Sequence, residues 1–153
     1  VVMSVAPFNF SWLIPDVICA CAWPKRKGHM QFLKEAGVGH VVCLADDMPP
    51  HPLEGVTVHT VPVEEFEAPT LDQIDQVMDV CDTAHTQGKA VCIHCRMGRG
   101  RTGVMLACYL VKFLGQVPQE AIGNVRFMRP YSVETWEQEF VVKDYWDRVG
   151  ARR

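Results

Sequence analysis

The feature that most restricts the fold is the stretch from Lys89 to Gly115, KAVCIHCRMGRGRTGVMLACYLVKFLG. It begins with a continuous apolar run, which is typical of a strand buried on both faces at the centre of an α/β sheet. A short loop containing glycines follows, and then a nearly all-apolar helix that Gly115 ends. This order predicts an α/β domain whose central strand leads through a loop into the N-terminus of a buried helix.

Strands and helices alternate in the sequence before this central strand. Three short apolar stretches, SWLIPDVICAC, GHVVCLA and GVTVHTVPV, are predicted to form strands, and HMQFLKEAG between the first two has helical composition. A long helix is predicted to follow, because Thr70 and Gln73 form a capping box and Gly88 supplies a stop signal.

The sequence after the central strand is predicted to be entirely helical. PQEAIGNVRFMR begins with a proline, which is allowed at a helix start, and stops before Pro130. SVETWEQEFVVKDYWDRVG is amphipathic, and Ser132 is its predicted N-cap. We therefore expect a central mixed, mainly parallel sheet flanked by helices, with a helical C-terminal third.

The composition of the chain indicates the number of domains and the cellular compartment. The 153 residues, 48% of them hydrophobic, suit one domain, which we place at 3–150, and residues 1–2 precede an expected natural start at Met3. The seven cysteines lie mostly in apolar runs, which favours packed free thiols in a reducing compartment. With no signal sequence and no run of roughly 18 apolar residues, we expect a soluble protein without a transmembrane segment, cytoplasmic or also nuclear.

Two other readings of the central loop are weaker. Gly98, Gly100 and Gly103 spell the G-x-G-x-x-G pattern of dinucleotide-binding folds, but the required second strand with its acidic residue does not follow. Cys92 and Cys95 have a spacing seen in metal sites, but their side chains would point to opposite faces of an extended strand. We therefore predict no cofactor and no metal.

A phosphate site accounts for more of the residues. Successive backbone N–H groups in a glycine-containing loop can converge on one anion, and the following helix adds its positive N-terminal end. Arg101 offers bidentate hydrogen bonds to phosphoryl oxygens, and Cys95 at the base of this positive cup is the predicted nucleophile. Thr102 is expected to hydrogen-bond the sulfur, and His94 to orient the loop.

The motif H-C-x5-R-[ST], present here as HCRMGRGRT, resembles the signature of cysteine-based protein tyrosine phosphatases. The size of the chain is similar to that of the dual-specificity branch. The resemblance implies the fold expected above and a metal-free, two-step hydrolysis of phosphotyrosine and of phosphoserine or phosphothreonine in proteins. It also implies that a loop binds the phosphate oxygens, formed by Arg96, Met97, Gly98, Arg99, Gly100 and Arg101.

The general acid is where the sequence departs from the family pattern. Family members usually place an aspartate on a mobile loop before the central strand, and alignment through Phe66 puts Glu65 at that position. Glu64 and Glu67 are neighbouring acids that could replace it. Glu134 is a second candidate because its segment borders the pocket in the family, and Gln138 could position the hydrolytic water.

The basic residues Arg96 and Arg99 leave a lipid alternative open, because added cations in the loop favour multiply charged substrates such as phosphoinositides. A further alternative is a module that binds phosphate without turnover, since the usual aspartate is missing. Phosphorylated proteins or peptides are the expected partners, and a monomer is favoured. Nucleic acid is not expected, because the net charge is -3 and no basic, aromatic groove is evident.

Overall fold

The computed structural model describes residues 2–153, and within them the chain forms five strands and five helices. The strands are β1 Ser11–Ile14, β2 Ile18–Cys21, β3 Val38–Cys43, β4 Thr57–Thr60 and β5 Ala90–His94. The helices are α1 Lys27–Glu35, α2 Leu71–Gln87, α3 Gly100–Leu114, α4 Pro118–Met128 and α5 Trp136–Ala151. None of these helices is long and apolar enough to cross a membrane.

The strands form one sheet in the order β1-β2-β5-β3-β4. Only β1 and β2 are antiparallel, and the other neighbouring strands are parallel. The central position of β5 confirms the strand predicted to be buried on both faces. The mixed, mainly parallel sheet and the helical C-terminal third are also confirmed.

The two faces of the sheet carry separate clusters of buried side chains. Helices α2 to α5 cover one face, where Val91 and Ile93 of β5 join the larger cluster. Helix α1 covers the other face, where Ala90 and Cys92 of β5 pack. This alternation along β5 confirms that Cys92 belongs to the core.

Helix α3 is the centre of the larger cluster. Every residue from Gly100 to Val111 is buried, because α3 is enclosed by β5 and by the neighbouring helices α2, α4 and α5. Its end at Gly115, which has a left-handed backbone, agrees with the prediction. The loop that follows β5 therefore leads directly into the buried N-terminal end of α3.

Two local predictions were wrong. The first apolar stretch contains two strands rather than one, because the chain reverses at Asp16 (φ 63°) to form the β1–β2 hairpin. The N-cap of α5 is Thr135, not Ser132, and the capping box pairs Thr135 with Gln138. The Ser132 hydroxyl instead donates a hydrogen bond to the carbonyl of Arg129 at 2.6 Å.

Two glycine-to-alanine substitutions should shift stability in opposite directions. Gly88 ends α2 with φ 67°, so Gly88→Ala should lower the free energy of unfolding by about 1–2 kcal/mol. Gly123 lies exposed inside α4, and a Cβ there would meet no atom within 4 Å. Gly123→Ala should therefore raise stability by about 0.5–1 kcal/mol. Urea denaturation measures both, and the same sign for both changes would contradict the assigned helix boundaries.

Candidate active site

The loop between β5 and α3 holds Cys95 at its base. Cys95 is buried with 2% of its surface exposed, and it joins the cluster on the face covered by α2 to α5. Gly98 has φ 74°, and a Cβ at that position would lie 2.6 Å from the carbonyl oxygen of Cys21. Only glycine satisfies both conditions, so the loop can pack this closely against the end of β2.

The carbonyl groups of the loop are held by donors outside it. The contacts are Trp23 N–H to Arg96 O at 3.0 Å, Asn9 Nδ2 to Met97 O at 3.0 Å and to Gly98 O at 3.2 Å, and Arg129 Nη2 to Gly98 O at 2.6 Å. In a trans peptide the following N–H points opposite to the carbonyl. The amides of residues 97–99 therefore point away from these donors, as an anion cradle requires.

Arg129 is the residue that sequence reasoning missed. Its side chain is 2% exposed, and it also donates to Asn9 O at 2.7 Å and to Ser11 Oγ at 2.6 Å. Burial lowers the pKa of the Arg129 guanidinium, while the nearby thiols, Cys95 among them, oppose this shift. Arg129 thus places a buried positive charge behind the loop. It follows α4 without any local pattern that would mark its role.

The residues beside Cys95 contact the sulfur and the neighbouring chain. Thr102 Oγ1 donates to Cys95 Sγ at 3.0 Å. Arg101, with 7% of its surface exposed, donates from Nη1 to Val63 O at 2.8 Å. This contact joins the start of α3 to the segment that leads into the acidic turn at residues 64–67.

His94 lies entirely within the core behind Cys95. Its Nδ1 lies 3.2 Å from the carbonyl oxygen of Cys95, and Nε2 has no hydrogen-bond partner among residues 2–153. Burial lowers the pKa of the His94 imidazole. A neutral ring that donates from Nδ1 to the Cys95 carbonyl fits the predicted orienting role better than attack on phosphorus.

Of the candidate acids, Glu134 is the one in contact with the loop. Its Oε1 accepts a hydrogen bond from Gly100 N–H at 3.0 Å. Gln138 is fully buried, and its Oε1 accepts from the backbone N–H of Glu134 at 2.7 Å. Its Nε2 donates to Glu67 O at 3.1 Å, so one amide group joins the start of α5 to the acidic turn.

Glu65 lies in an exposed turn with Glu64 and Glu67. The next residue, Phe66, has φ 66° and is 57% exposed. Within residues 2–153, no hydrogen bond or ion pair joins the Glu65 carboxylate to another residue. The backbone of this turn therefore reaches the site through Val63 and Glu67, while its carboxylates face solvent.

The remaining thiols on the α1 side do not form a metal site. Cys21 Sγ and Cys92 Sγ lie 3.5 Å apart, and burial raises the pKa of the Cys21 thiol. Throughout the described chain, no group of three or more histidine, cysteine, aspartate or glutamate side chains is placed to hold a metal ion.

Three comparisons with known proteins agree on a phosphatase. Residues 7–142 match the family described as PTP-SAK: Swiss Army Knife protein, DSP-PTPase phosphatase domain. Human dual specificity protein phosphatase CDC14C is 27% identical over 150 residues, which cover 88% of this chain and 33% of that protein. Phosphatidylglycerophosphate phosphatase PTPMT1 of Arabidopsis thaliana is 32% identical over 79 residues, covering 52% of this chain and 23% of that protein. The crystal structure of Tk-PTP in the active form has a TM-score of 0.80 and 29% identity, covering 92% of this chain and 97% of that one.

The architecture and these matches define a phosphatase domain of the dual-specificity and protein tyrosine phosphatase type. The chain belongs to the PTP-SAK family of DSP-PTPase domains, within the cysteine-based protein tyrosine phosphatase superfamily. It spans about a third of the length of the curated relatives CDC14C and CDC14B.

The contacts of Arg129 predict that replacing this residue strongly weakens anion binding. Arg129→Met should weaken the binding of inorganic phosphate about tenfold or more, because the loop carbonyls lose a charged donor worth about 1.5–3 kcal/mol. Arg129→Lys should have an intermediate effect, since it keeps the charge but not the fork of donors. Competitive inhibition of aryl phosphate hydrolysis by phosphate measures the affinity.

Arg148→Met is the matched control, because it removes a partly buried arginine that pairs with Asp72 and Asp75 of α2. It should lower stability and leave phosphate affinity near the original value. Phosphate affinity that is also unchanged in folded Arg129→Met would show that Arg129 does not shape the loop.

Proposed function

We propose that this domain hydrolyses phosphomonoesters in two steps, without a metal, with Cys95 as the nucleophile. The single observation that carries the proposal is the contact of 3.0 Å between Thr102 Oγ1 and Cys95 Sγ at the base of the loop. A hydroxyl that donates to a sulfur favours the thiolate, and the loop amides and Arg101 favour an anion in front of it. A packed structural cysteine needs neither feature.

In the first step, Cys95 Sγ attacks phosphorus and the bond to the leaving oxygen breaks, which gives a phosphocysteine. The amides of residues 97–99 and Arg101 stabilise the equatorial oxygens, so most of the catalysis is positioning and electrostatic stabilisation. The N–H of Gly100, which the sequence placed in the phosphate-binding set, is instead bound to the Glu134 carboxylate. In the second step, water attacks phosphorus and passes a proton to the carboxylate that acted as the acid, and the bond from phosphorus to sulfur breaks to give inorganic phosphate and the Cys95 thiolate. The Thr102 hydroxyl donates to the sulfur in both steps.

For the general acid, the contacts favour Glu134 over Glu65. Gly100 N–H orients one carboxyl oxygen of Glu134, which leaves the other oxygen to carry a proton toward the leaving group. Both ends of the Gln138 amide are engaged, so we assign it the role of fixing Glu134 rather than that of binding the hydrolytic water.

We further propose that phosphotyrosine and phosphoserine or phosphothreonine in proteins are the substrates of this domain, which we place at residues 3–150. We also propose a particular likeness to dual-specificity phosphatase 23, based on the stretches NFSW, DQID, GRTGVMLACYLVK and RPYSVETWEQE, and this likeness is consistent with the same substrate class. A cytoplasmic or nuclear location suits a thiol nucleophile, because a reducing compartment keeps the thiol free.

A phosphoinositide is the second candidate substrate. Arg96 and Arg99 add two cations to the loop and favour a multiply charged headgroup. A relative named phosphatidylglycerophosphate phosphatase also shares 32% identity over 79 residues with this chain. A panel of phosphopeptides and phosphoinositides assayed with one enzyme preparation ranks the two classes.

Replacing the nucleophile tests the reaction itself. Wild-type protein should hydrolyse an aryl phosphate equally well with and without a chelator, and Cys95→Ser should lose essentially all of this turnover. Steady-state release of the aryl alcohol measures both. If folded wild-type protein binds phosphopeptides but releases no phosphate, the domain is a binding module and the proposed reaction is wrong.

A matched pair of substitutions identifies the acid. Glu134→Gln should reduce kcat/KM for a phosphoserine peptide about 100-fold, and reduce it much less for an aryl phosphate with a good leaving group. Glu65→Gln should change kcat/KM for the two substrates by a similar, small factor. The opposite result, in which only Glu65→Gln shows the dependence on leaving group, would assign the acid to the exposed turn.

A further inference from the structure

The side chain of Tyr131 has an unusual environment for an aromatic residue. It is 75% exposed, and its backbone has φ 70°, a conformation that is unfavourable for residues other than glycine. Burial of the ring therefore does not offset the backbone strain. Strain of this kind is typically retained where it serves a functional site.

The ring of Tyr131 contacts the phosphate loop through Arg99. The guanidinium carbon of Arg99 lies 5.2 Å from the centre of the ring, which is within the range of a cation–π interaction. A cation–π contact engages the charge of the guanidinium and does not use up its N–H donors as hydrogen-bond donors. Tyr131 thus limits where the Arg99 side chain can lie at the rim of the cup.

The segment that carries Tyr131 is itself held rigidly. Arg126 donates to Ser132 O at 3.0 Å and to Val133 O at 2.7 Å, and the Ser132 hydroxyl binds the carbonyl of Arg129. Arg129 in turn binds the loop carbonyl of Gly98. The backbone on the C-terminal side of Tyr131 and the phosphate loop therefore belong to one hydrogen-bonded unit, which holds Tyr131 at a fixed place relative to the loop that carries Arg99.

The charge of Arg99 is not neutralised by an acidic side chain. Arg126 forms an ion pair with Glu139 at 2.7 Å, whereas within residues 2–153 no ion pair joins Arg99 to an acidic residue, and the same holds for the loop arginines Arg96 and Arg101. What sets Arg99 apart from those two is its contact with the ring of Tyr131. An arginine that is oriented, partly exposed and not neutralised beside a phosphate cup is suited to bind a second anion.

We propose that Tyr131 is a positioning residue that holds Arg99 as a second anion subsite beside the catalytic cup. The subsite would recognise a second phosphate group on the same substrate, while the scissile phosphate occupies the loop. The inference rests on the proposed phosphatase function. The second phosphate could belong to a doubly phosphorylated peptide or to an inositol phosphate headgroup, since both present the same chemistry to a guanidinium.

The test compares kcat/KM for substrates with and without the second phosphate. One arm uses a phosphotyrosine peptide and the same peptide carrying a neighbouring phosphothreonine, and the other uses a soluble inositol monophosphate and a bisphosphate. The wild-type ratio of doubly to singly phosphorylated substrate should exceed 1 in at least one arm, which also names the source. Tyr131→Leu should lower this ratio about two- to fivefold, the value of an exposed cation–π contact. Tyr131→Phe should keep it, because the ring remains.

A double-mutant cycle separates positioning from a general structural effect. Arg99→Gln should bring the ratio down to about 1, because the charged hydrogen bond to the second phosphate is lost. Adding Tyr131→Leu to Arg99→Gln should then cause no further change in the ratio. Arg96→Gln is the matched control, because it removes the other added loop cation and should leave the effect of Tyr131→Leu intact.

Two results would overturn the subsite. One is a wild-type ratio of 1 in both arms, and the other is an equal effect of Tyr131→Leu in the presence and absence of Arg99. Both can occur while the aryl phosphate is turned over normally, in which case the phosphatase function stands. If folded wild-type protein instead turns over none of the substrates, the proposed phosphatase function is rejected.

Discussion

The hydrogen bonds donated by the buried guanidinium of Arg129 fix the shape of the phosphate loop. They reach the carbonyl of Gly98, the backbone of Asn9 and the hydroxyl of Ser11, so one side chain joins the N-terminal segment and β1 to the loop. Burying a guanidinium without a carboxylate partner is costly, and only several good hydrogen bonds offset that cost. The contact with Gly98 turns that loop carbonyl outward, and the guanidinium adds a positive charge behind the thiol. The fold therefore supplies an anion site in which structural support and electrostatics come from the same residue.

The helix α3 and the segment before α5 complete the site from the other side. Because α3 is enclosed along most of its length, its N-terminus keeps a fixed direction toward the loop. Gly100 at that end donates its N–H to Glu134, while Arg101 donates to Val63 of the segment before the acidic turn. Glu134 and Cys95 are thus both held by hydrogen bonds to residues in the first turn of α3, and Arg101 is itself part of that turn. A rigid element of this kind positions reacting groups more accurately than a loop alone.

The sequence was sufficient for the parts of the structure that local signals determine. The central strand, the capping box at Thr70, the helix end at Gly88 and the buried helix after the loop were all predicted correctly, because each depends on neighbouring residues. The N-cap of α5 was assigned to Ser132 because a serine before a helical pattern is a normal cap, whereas the left-handed backbone of Val133 delays the helix to Thr135. Arg129 and Tyr131 could not be predicted, because their contacts join residues that are distant in sequence. The contact of Glu134 with Gly100 has the same origin, since it spans 34 positions.

The side-chain amide of Gln138 couples the start of α5 to the acidic turn. One of its ends closes the capping box of α5, and the other holds the carbonyl of Glu67 in the acidic turn. Movement of that turn away from the site therefore removes a partner from Gln138, the residue that completes the capping box with Thr135. Opening of the acidic turn is therefore energetically coupled to fraying of the first turn of α5. Amide hydrogen exchange at the start of α5 would accordingly report how often the acidic turn opens, even though the two segments lie on opposite sides of the central strand in sequence.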